Sequence, residues 1–288
     1  VSFRHQITPL VLTHDEEDNI GRTMARLSWA DEVVVVDSGS TDATLGILRG
    51  FPNVRVVQRP FDSFAEQCNH GLGLVRTPWV LSLDADYVLT DKLVGEVLAL
   101  SPADETAGFE VRFRYCVGGR PIRASLYPPR TVLYRRERAH YENVGHGHRV
   151  AVDGPVGALD GEILHDDRKP LERWLEAQAR YARQEAQLIH RSAFGDLNLP
   201  DRIRKLVVAA PMIVFLYTLF VKGAVRDGWP GLGYALQRTL AEVVLSLRLV
   251  ESHLSGASVE HGAGRLPRAV PNPDATGVVV DTAKVESR

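Results

Sequence analysis

Along the first hundred residues, short apolar runs alternate with stretches whose apolar positions recur every three or four residues. Pro9–Leu12, Val33–Val36, Val54–Val57 and Trp79–Leu83 are the runs. Nearly continuous hydrophobicity over four or five residues reads as a strand buried on both faces of a sheet. Between them, Ile20, Met24 and Leu27 keep helical spacing, and Ala43 to Leu48 and Phe64 to Leu74 read as further helices. The carboxylates of Thr13–Asp18 are placed to start the first helix, since negative charge suits a helix N-terminus. This alternation predicts an α/β fold: a mainly parallel, twisted sheet flanked by helices on both faces.

The pattern changes twice further on. Gly108–Arg114 alternates as a strand with one charged face, and Ile163–Leu164 ends another short strand. From Leu171 the chain turns helical: Glu172 to Arg191 is amphipathic, Leu206 to Val221 is apolar almost all round, and Gly231 to Leu254 is amphipathic again. The apolar stretch contains Pro211, is shorter than the roughly 20 residues of a membrane span, and is flanked by Arg202, Arg204, Lys205, Lys222 and Arg226. It reads as a helix or broken helix in the membrane interface; a shallow span and a buried core helix are the alternatives. Ser255 to Arg288, rich in Gly, Pro, Ala and charge, reads as a flexible tail. The expected organisation is a catalytic domain over 1–170, a helical, membrane-associating region over 171–254 and the tail over 255–288.

Composition sharpens this only slightly. At 288 residues, 44% of them hydrophobic, the chain can bury a sizeable core. A formal net charge of -2 gives no basis for a nucleic-acid partner. Two cysteines, Cys68 and Cys116, argue against a disulfide framework and read as small buried hydrophobes in a reducing compartment. Val1 to Gln6 is polar and has no signal-peptide core, so the catalytic part is expected to stay in the cytoplasm.

The candidate chemistry sits at the ends of the strands, where ligands of open α/β sheets bind. Trp79–Leu83 runs into Asp84-Ala85-Asp86, two carboxylates one residue apart. Residues two apart in an extended chain project to the same side, where two carboxylates call for a cation between them. A divalent ion holding a diphosphate suits both; the alternative is that Asp84 or Asp86 caps a helix near Thr90. Asp37 closes the all-valine run and can accept bonds from a ribose or base, or serve as a turn residue. Neither a glycine-rich dinucleotide fingerprint nor a phosphate loop with its lysine is present. The basic cluster Arg130, Arg135, Arg136 and Arg138 reads equally as an anionic-acceptor or phosphate site and as a solvated strand face.

Three segments together, Thr13-His14-Asp15-Glu16-Glu17, Val36-Asp37-Ser38-Gly39-Ser40-Thr41-Asp42 and Leu83-Asp84-Ala85-Asp86, resemble the signature segments of family 2 glycosyltransferases. The resemblance covers roughly residues 7 to 170. It departs from the family where Asp15 replaces the usual Asn and Ser38 the second acid. It implies a GT-A fold, a nucleotide-diphosphate sugar donor and a Mg²⁺ or Mn²⁺ ion. It also implies roles: Thr13, Glu16 and Asp37 around the nucleoside, Asp84 at the ribose or metal shell, Asp86 on the metal. Gln67 and Asn69 would turn toward the donor, and His165 would be a further metal ligand. The family's membrane-associated members carry a His-Glu pair where this chain has His146-Gly147-His148. The general base therefore stays open among Glu142, His146 and His148, a neutral histidine being competent near its ordinary pKa.

The expected function is an inverting, metal-dependent glycosyltransferase at the cytoplasmic face of the inner membrane, peripheral or monotopic. Its partners would be a nucleotide-sugar donor, a lipid-linked or cell-envelope glycan acceptor and the membrane surface. Lipopolysaccharide-core assembly is the nearest likeness. Two other readings are a sugar-phosphate nucleotidyltransferase, which the acidic Thr13–Asp18 loop disfavours, and a non-catalytic nucleotide-sugar-binding membrane protein.

Overall fold

The computed structural model of the protein describes residues 2–124, 126–144, 147–191 and 199–254. Among these, the chain forms two compact units. One runs to Lys169, apart from residues 122–127 and Val144; the other gathers those residues with the helices that follow Pro170. The expected tail, 255–288, lies outside the described residues.

The first unit is built on a nine-stranded sheet. In chain order its elements are β1 (Ile7–Thr13), α1 (Ile20–Ala25), β2 (Val33–Asp37), α2 (Thr44–Leu48), β3 (Val54–Gln58), α3 (Phe64–Leu74), β4 (Trp79–Asp84), β5 (Tyr87–Leu89) and α4 (Asp91–Ala99). β6 (Gly108–Val117), β7 (Arg120–Pro121), β8 (Arg130–Arg135), β9 (Ala139–Val144), β10 (Gly147–Val152) and β11 (Val156–His165) follow. The order across the sheet is β3-β2-β1-β4-β8-β6-β11-β5, with β7 paired to β6; β9 and β10 form a separate ribbon. β3, β2, β1 and β4 are parallel, each reached through a helix as the alternation predicts. The remainder makes the sheet mixed. β8 is antiparallel to both neighbours, because no helix lies between β6 and β8 to carry the chain back for a parallel return. β11 is parallel to β6, and β5 antiparallel to β11.

That reversal corrects the reading of the arginines. Arg135 pairs with Trp79 at the start of β4, so Arg135, Arg136 and Arg138 lie at the sheet edge opposite the carboxylates. There Arg135 stacks on the Trp79 ring at 4.9 Å and donates to the Thr106 carbonyl, and Arg138 donates to the Glu105 carbonyl. These contacts favour the strand-face reading for Arg135 and Arg138, whereas Arg130 lies at the other end of β8.

β2 is buried along its whole length, and α3 lies on β1 without a spacer: a Cβ on Gly71 would stand 2.5 Å from a Leu10 methyl. Cys68 and Cys116 are free and buried, and burial pushes both thiols up, Cys116 to about 12. Thr90, rather than Asp84 or Asp86, caps α4, accepting from the Leu93 N–H. The acids of the 13–18 loop do not enter the first turn of α1, which begins at Ile20.

The second unit contains α5 (Leu171–Arg191), α6 (Leu199–Lys205), α7 (Ala209–Leu216) and α8 (Gly228–Leu254). Ala182, Ala186 and Ile189 of α5 pack on Leu245 and Leu249 of α8. The break in the apolar stretch falls at Val207, held at φ 56, a strained conformation for a β-branched residue; Ser246 pins its carbonyl at 2.7 Å. Pro211 lies in the first turn of α7, where a missing N–H costs nothing.

A buried arginine ties the helices together. Arg204 meets Asp201 at 2.6 Å, Glu242 at 3.0 Å and Glu185 at 3.7 Å. Burial pushes Glu185 up to about 7; the Arg204 charge opposes the shift and the Asp201 and Glu242 charges add to it. The folded state thus holds a proton on Glu185 from the ordinary carboxylate pKa, near 4.5, up to about 7. Stability from this group is complete below that window and falls as pH rises through it, by up to about 1.4 kcal/mol per pH unit. Glu185→Gln is therefore expected to gain stability relative to the native chain between pH 5 and 8, read from paired thermal unfolding curves. A difference that does not change with pH would contradict the assignment.

Candidate active site

Three strand ends lie side by side. Across β1, Thr13 pairs with Asp37 and Leu12 with Asp84. The strands end in register because the same parallel ladder fixes all three.

Asp37 is fully buried. Its carboxylate accepts from the Gly39 N–H at 3.0 Å, the Ser40 N–H at 3.1 Å, the Ser40 hydroxyl at 2.5 Å and the Gln58 amide at 3.2 Å. It sets the conformation of the Ser38–Thr41 turn, in which Gly39 sits at φ 87. Gln67, also buried, donates to the Ser38 hydroxyl at 2.9 Å and accepts from Arg59. The Thr13 hydroxyl oxygen is buried and has no hydrogen-bond partner among the described residues.

Residues 15–17 of the 13–18 loop are knitted to this turn, while the Glu16 carbonyl accepts from the Ile20 N–H at the start of α1. Asp15 sits at φ 51, a conformation that Asn and Asp tolerate better than most residues, so the departure from Asn keeps the backbone option. Its carboxylate accepts from the Thr41 N–H at 2.7 Å, and this bond chiefly holds its pKa below the usual range. In return the Ser40 hydroxyl accepts from the Asp15 N–H, Thr44 from the Glu16 N–H and Asp42 from the Glu17 N–H.

β4 ends at Asp84, and Ala85 and Asp86 form a turn into β5. The two carboxylates are thus not neighbours on one extended strand; the turn gives each its own direction. Asp84 is half-buried, and its charge helps to raise the nearby Cys68 thiol. Asp86 meets His165 at the end of β11, Oδ2 to Nε2, at 2.9 Å. The rings of Tyr87 and Tyr115 stand edge-on to the imidazole at 5.3 and 5.1 Å. Burial penalises the Asp86 carboxylate, but the His165 and Lys169 charges outweigh it and hold the pKa below the ordinary value.

Glu16 goes the other way. Burial first, then the Asp86 charge, push it up to about 7 against the pull of Lys169 and Asn19. Lys169 ion-pairs with Glu16, and the buried Asn19 bridges Glu16 at 2.8 Å and Asp167 at 2.9 Å. Asp166 pairs with Arg22 and Arg168. Lys169, Asn19 and Arg22 carry no signal in the sequence beyond the basic tail of His165-Asp166-Asp167-Arg168-Lys169, since the partner of Lys169 lies 153 positions earlier.

On the other side, Asn69 clamps β9. Its amide donates to the Tyr141 carbonyl at 2.9 Å and its oxygen accepts from the Tyr141 N–H at 2.8 Å. The Tyr141 hydroxyl donates to Ser82 of β4 at 2.8 Å. The next residue, Glu142, is exposed and meets His140 at 2.8 Å. His146 and the side chain of His148 lie outside the described residues. The structure therefore brings Thr13, Glu16, Asp37, Asp84, Asp86 and His165 to one sheet edge. It sets Gln67 beneath the Ser38 turn and Asn69 against the strand that carries Glu142.

Among the described residues no three His, Cys, Asp or Glu side chains gather as a closed metal cage. Asp86 and His165 still form a carboxylate-oxygen and imidazole-nitrogen pair that fits a divalent cation whose other positions are filled by phosphate oxygens.

The model of the family "Glycosyl transferase family 2" matches residues 10–153. The chain is 27% identical to the lipopolysaccharide core biosynthesis glycosyltransferase LpsC of Rhizobium meliloti, over 86% of this chain and 93% of the relative. It is 28% identical to an uncharacterized glycosyltransferase of Rickettsia bellii, over 48% and 49%. Among solved structures it is similar to S. aureus TarS 1-349 in complex with UDP-GlcNAc, with 17% identity, 88% and 93% coverage and a TM-score of 0.46. It is also similar to glucosyl-3-phosphoglycerate synthase from Mycobacterium tuberculosis in complex with Mn2+, UDP and glucosyl-3-phosphoglycerate, with 19% identity, 65% and 80% coverage and a TM-score of 0.40.

Proposed function

The chain belongs to glycosyl transferase family 2, and from that premise we propose an inverting, metal-assisted transfer of a sugar to a lipid-linked or cell-envelope glycan. The protein is a GT-A-fold glycosyltransferase acting on nucleotide-sugar donors. The observation that carries the finer reading is the shared sheet edge, where three strand ends meet the Asp86–His165 pair. The envelope acceptor is supported by likeness to a relative described as a lipopolysaccharide-core enzyme. The cytoplasmic face of the inner membrane is supported by free buried thiols and by the exposed apolar helices.

In the proposed reaction the acceptor oxygen attacks the anomeric carbon from the face opposite the diphosphate. The new C–O bond forms as the bond to the diphosphate oxygen breaks and takes the electron pair. A general base, Glu142, His146 or His148, receives the acceptor proton. The Thr13 hydroxyl and the turn that Asp37 holds line the nucleoside side, Glu16 closes it, and Asp84 stands at the ribose end. Asp86 and His165 would hold the Mg²⁺ or Mn²⁺ ion, which supplies charge stabilisation to the leaving diphosphate.

A panel of nucleotide-sugar donors, assayed for free nucleoside diphosphate, tests this. Slow release is expected from one donor without acceptor, and faster release with extracted envelope glycolipid. Binding of donors with no release from any of them would leave a non-catalytic binder. Pyrophosphate formed from a nucleoside triphosphate and a sugar phosphate would make it a nucleotidyltransferase.

A further inference from the structure

The apolar stretch does not end as a straight helix. Residues Ala209–Val221 and Ala224–Leu254 form a helix pair bent by 64°. Within it α7 loosens into a π-helical turn over Tyr217–Val221. Gly223 and Gly228 then take φ 78 and φ 64, values that side-chain-bearing residues rarely adopt. At Gly231 a Cβ would stand 2.0 Å from the Ala224 carbonyl oxygen, so only glycine lets α8 return this closely.

The tight bend buries Val214 and Ala224 but leaves its larger apolar side chains outside. Trp229 is 85% exposed, Val221 71% and Phe220 62%, and Met212 and Val225 are also exposed. No single described helix is long and apolar enough to cross a membrane. The thirteen residues from Ala209 to Val221 reach about 20 Å at 1.5 Å per residue, short of the roughly 30 Å hydrocarbon core. Lys222 and Arg226 lie in the bend beside the apolar tip, while the Asp227 carboxylate turns inward. It accepts from the N–H groups of Arg123 at 2.8 Å and Ala124 at 3.2 Å, and the Tyr234 hydroxyl accepts from the Leu126 N–H at 3.3 Å. Ile122 and Ala124 are buried in the same unit.

We propose that the α7–α8 bend is a re-entrant wedge that enters one leaflet of an anionic bilayer with Phe220 and Trp229 at its tip, and that Arg123 and Ala124, which lie between β7 and β8, are strapped to it through Asp227. The inference rests on the membrane-face reading above and makes it specific. Cations beside an apolar tip complement anionic headgroups. A two-fold pair of copies meeting at the bend would instead set Lys222 and Arg226 against their own counterparts.

Depth-dependent quenching tests the wedge. The full chain is mixed with phosphatidylcholine–phosphatidylglycerol vesicles carrying bromines at shallow or deep acyl positions. Quenching is expected to be strongest with shallow to intermediate bromines and to disappear in Trp229→Phe, while the other tryptophans stay unquenched. Reversing both cations, Lys222→Glu with Arg226→Glu, is expected to weaken vesicle binding by about ten- to a hundredfold at low salt and much less at high salt. Asp227→Asn is expected to speed hydrogen exchange at Arg123 and Ala124 on vesicles and in detergent alike; unchanged exchange would remove the strap. No quenching in any vesicle would overturn the wedge, as would a lipid-independent dimer that shields Trp229. Labelling of residue 222 from the far side of sealed vesicles would also overturn it, in favour of a span. Nucleoside diphosphate release in detergent is read in parallel: if it persists while quenching fails, only the wedge is lost.

Discussion

Asp86→Ala is expected to lower sugar transfer by about 10³-fold or more while leaving the chain folded. Removing one group that stabilises transition-state charge costs on the order of 10²–10³, and here the lost carboxylate is also half of the only oxygen–nitrogen pair proposed to hold the cation. The fold is expected to survive because the backbone also ties this position: the Asp166 N–H donates to the Asp86 carbonyl at 3.0 Å, and β5 pairs with β11 beside it. Asp86 is also the carboxylate that His165 and Lys169 keep ionised, so its loss leaves His165 short of a partner and relieves Glu16 of a neighbouring charge. Circular dichroism, donor calorimetry and turnover on one preparation separate these effects. Near-native turnover in the variant, or full native activity in excess chelator, would overturn the metal role.

Glu142→Gln is expected to lower kcat by about 10²–10⁴-fold with donor affinity unchanged. Glu142 lies one residue beyond Tyr141, whose backbone Asn69 clamps on both sides and whose hydroxyl is anchored on β4. The carboxylate is thus exposed next to a backbone position held by two hydrogen bonds, as suits a base that waits for an acceptor. The carboxylate also contacts His140 at 2.8 Å. His146→Ala and His148→Ala are measured beside it. A Glu142→Gln enzyme of near-native rate together with an inactive histidine variant would move the base to that histidine.

Both predictions use residues whose type was readable before their surroundings were. The valine run of β2 announces a buried strand because burial on both faces leaves no polar position, and Asp37 and Asp84 follow as strand-end acids. Their employment was not readable. The Asp37 carboxylate is used by the turn that it shapes and by Gln58 of β3, and the Asp15 and Glu17 carboxylates bond to backbone N–H groups of residues 41–43 instead of capping α1. Asn69, expected to face the donor, is bonded to Tyr141, 72 positions later.

By itself the sequence determined the βα alternation, the strand-end carboxylates, the resemblance carried by three segments and the change to helices after Leu171. Each of these depends on periodicity or composition within some ten residues, where backbone geometry dictates the pattern. Only the tertiary structure decided the direction of β8, and with it the removal of Arg135, Arg136 and Arg138 from the carboxylate edge. It alone joined His165 to Asp86 and Lys169 to Glu16, and it placed the break at Val207 rather than Pro211. The physical reason is the same in each case. A charge or a strained backbone angle is settled by groups that are near in space and far along the chain, and local propensity carries no information about which groups those are.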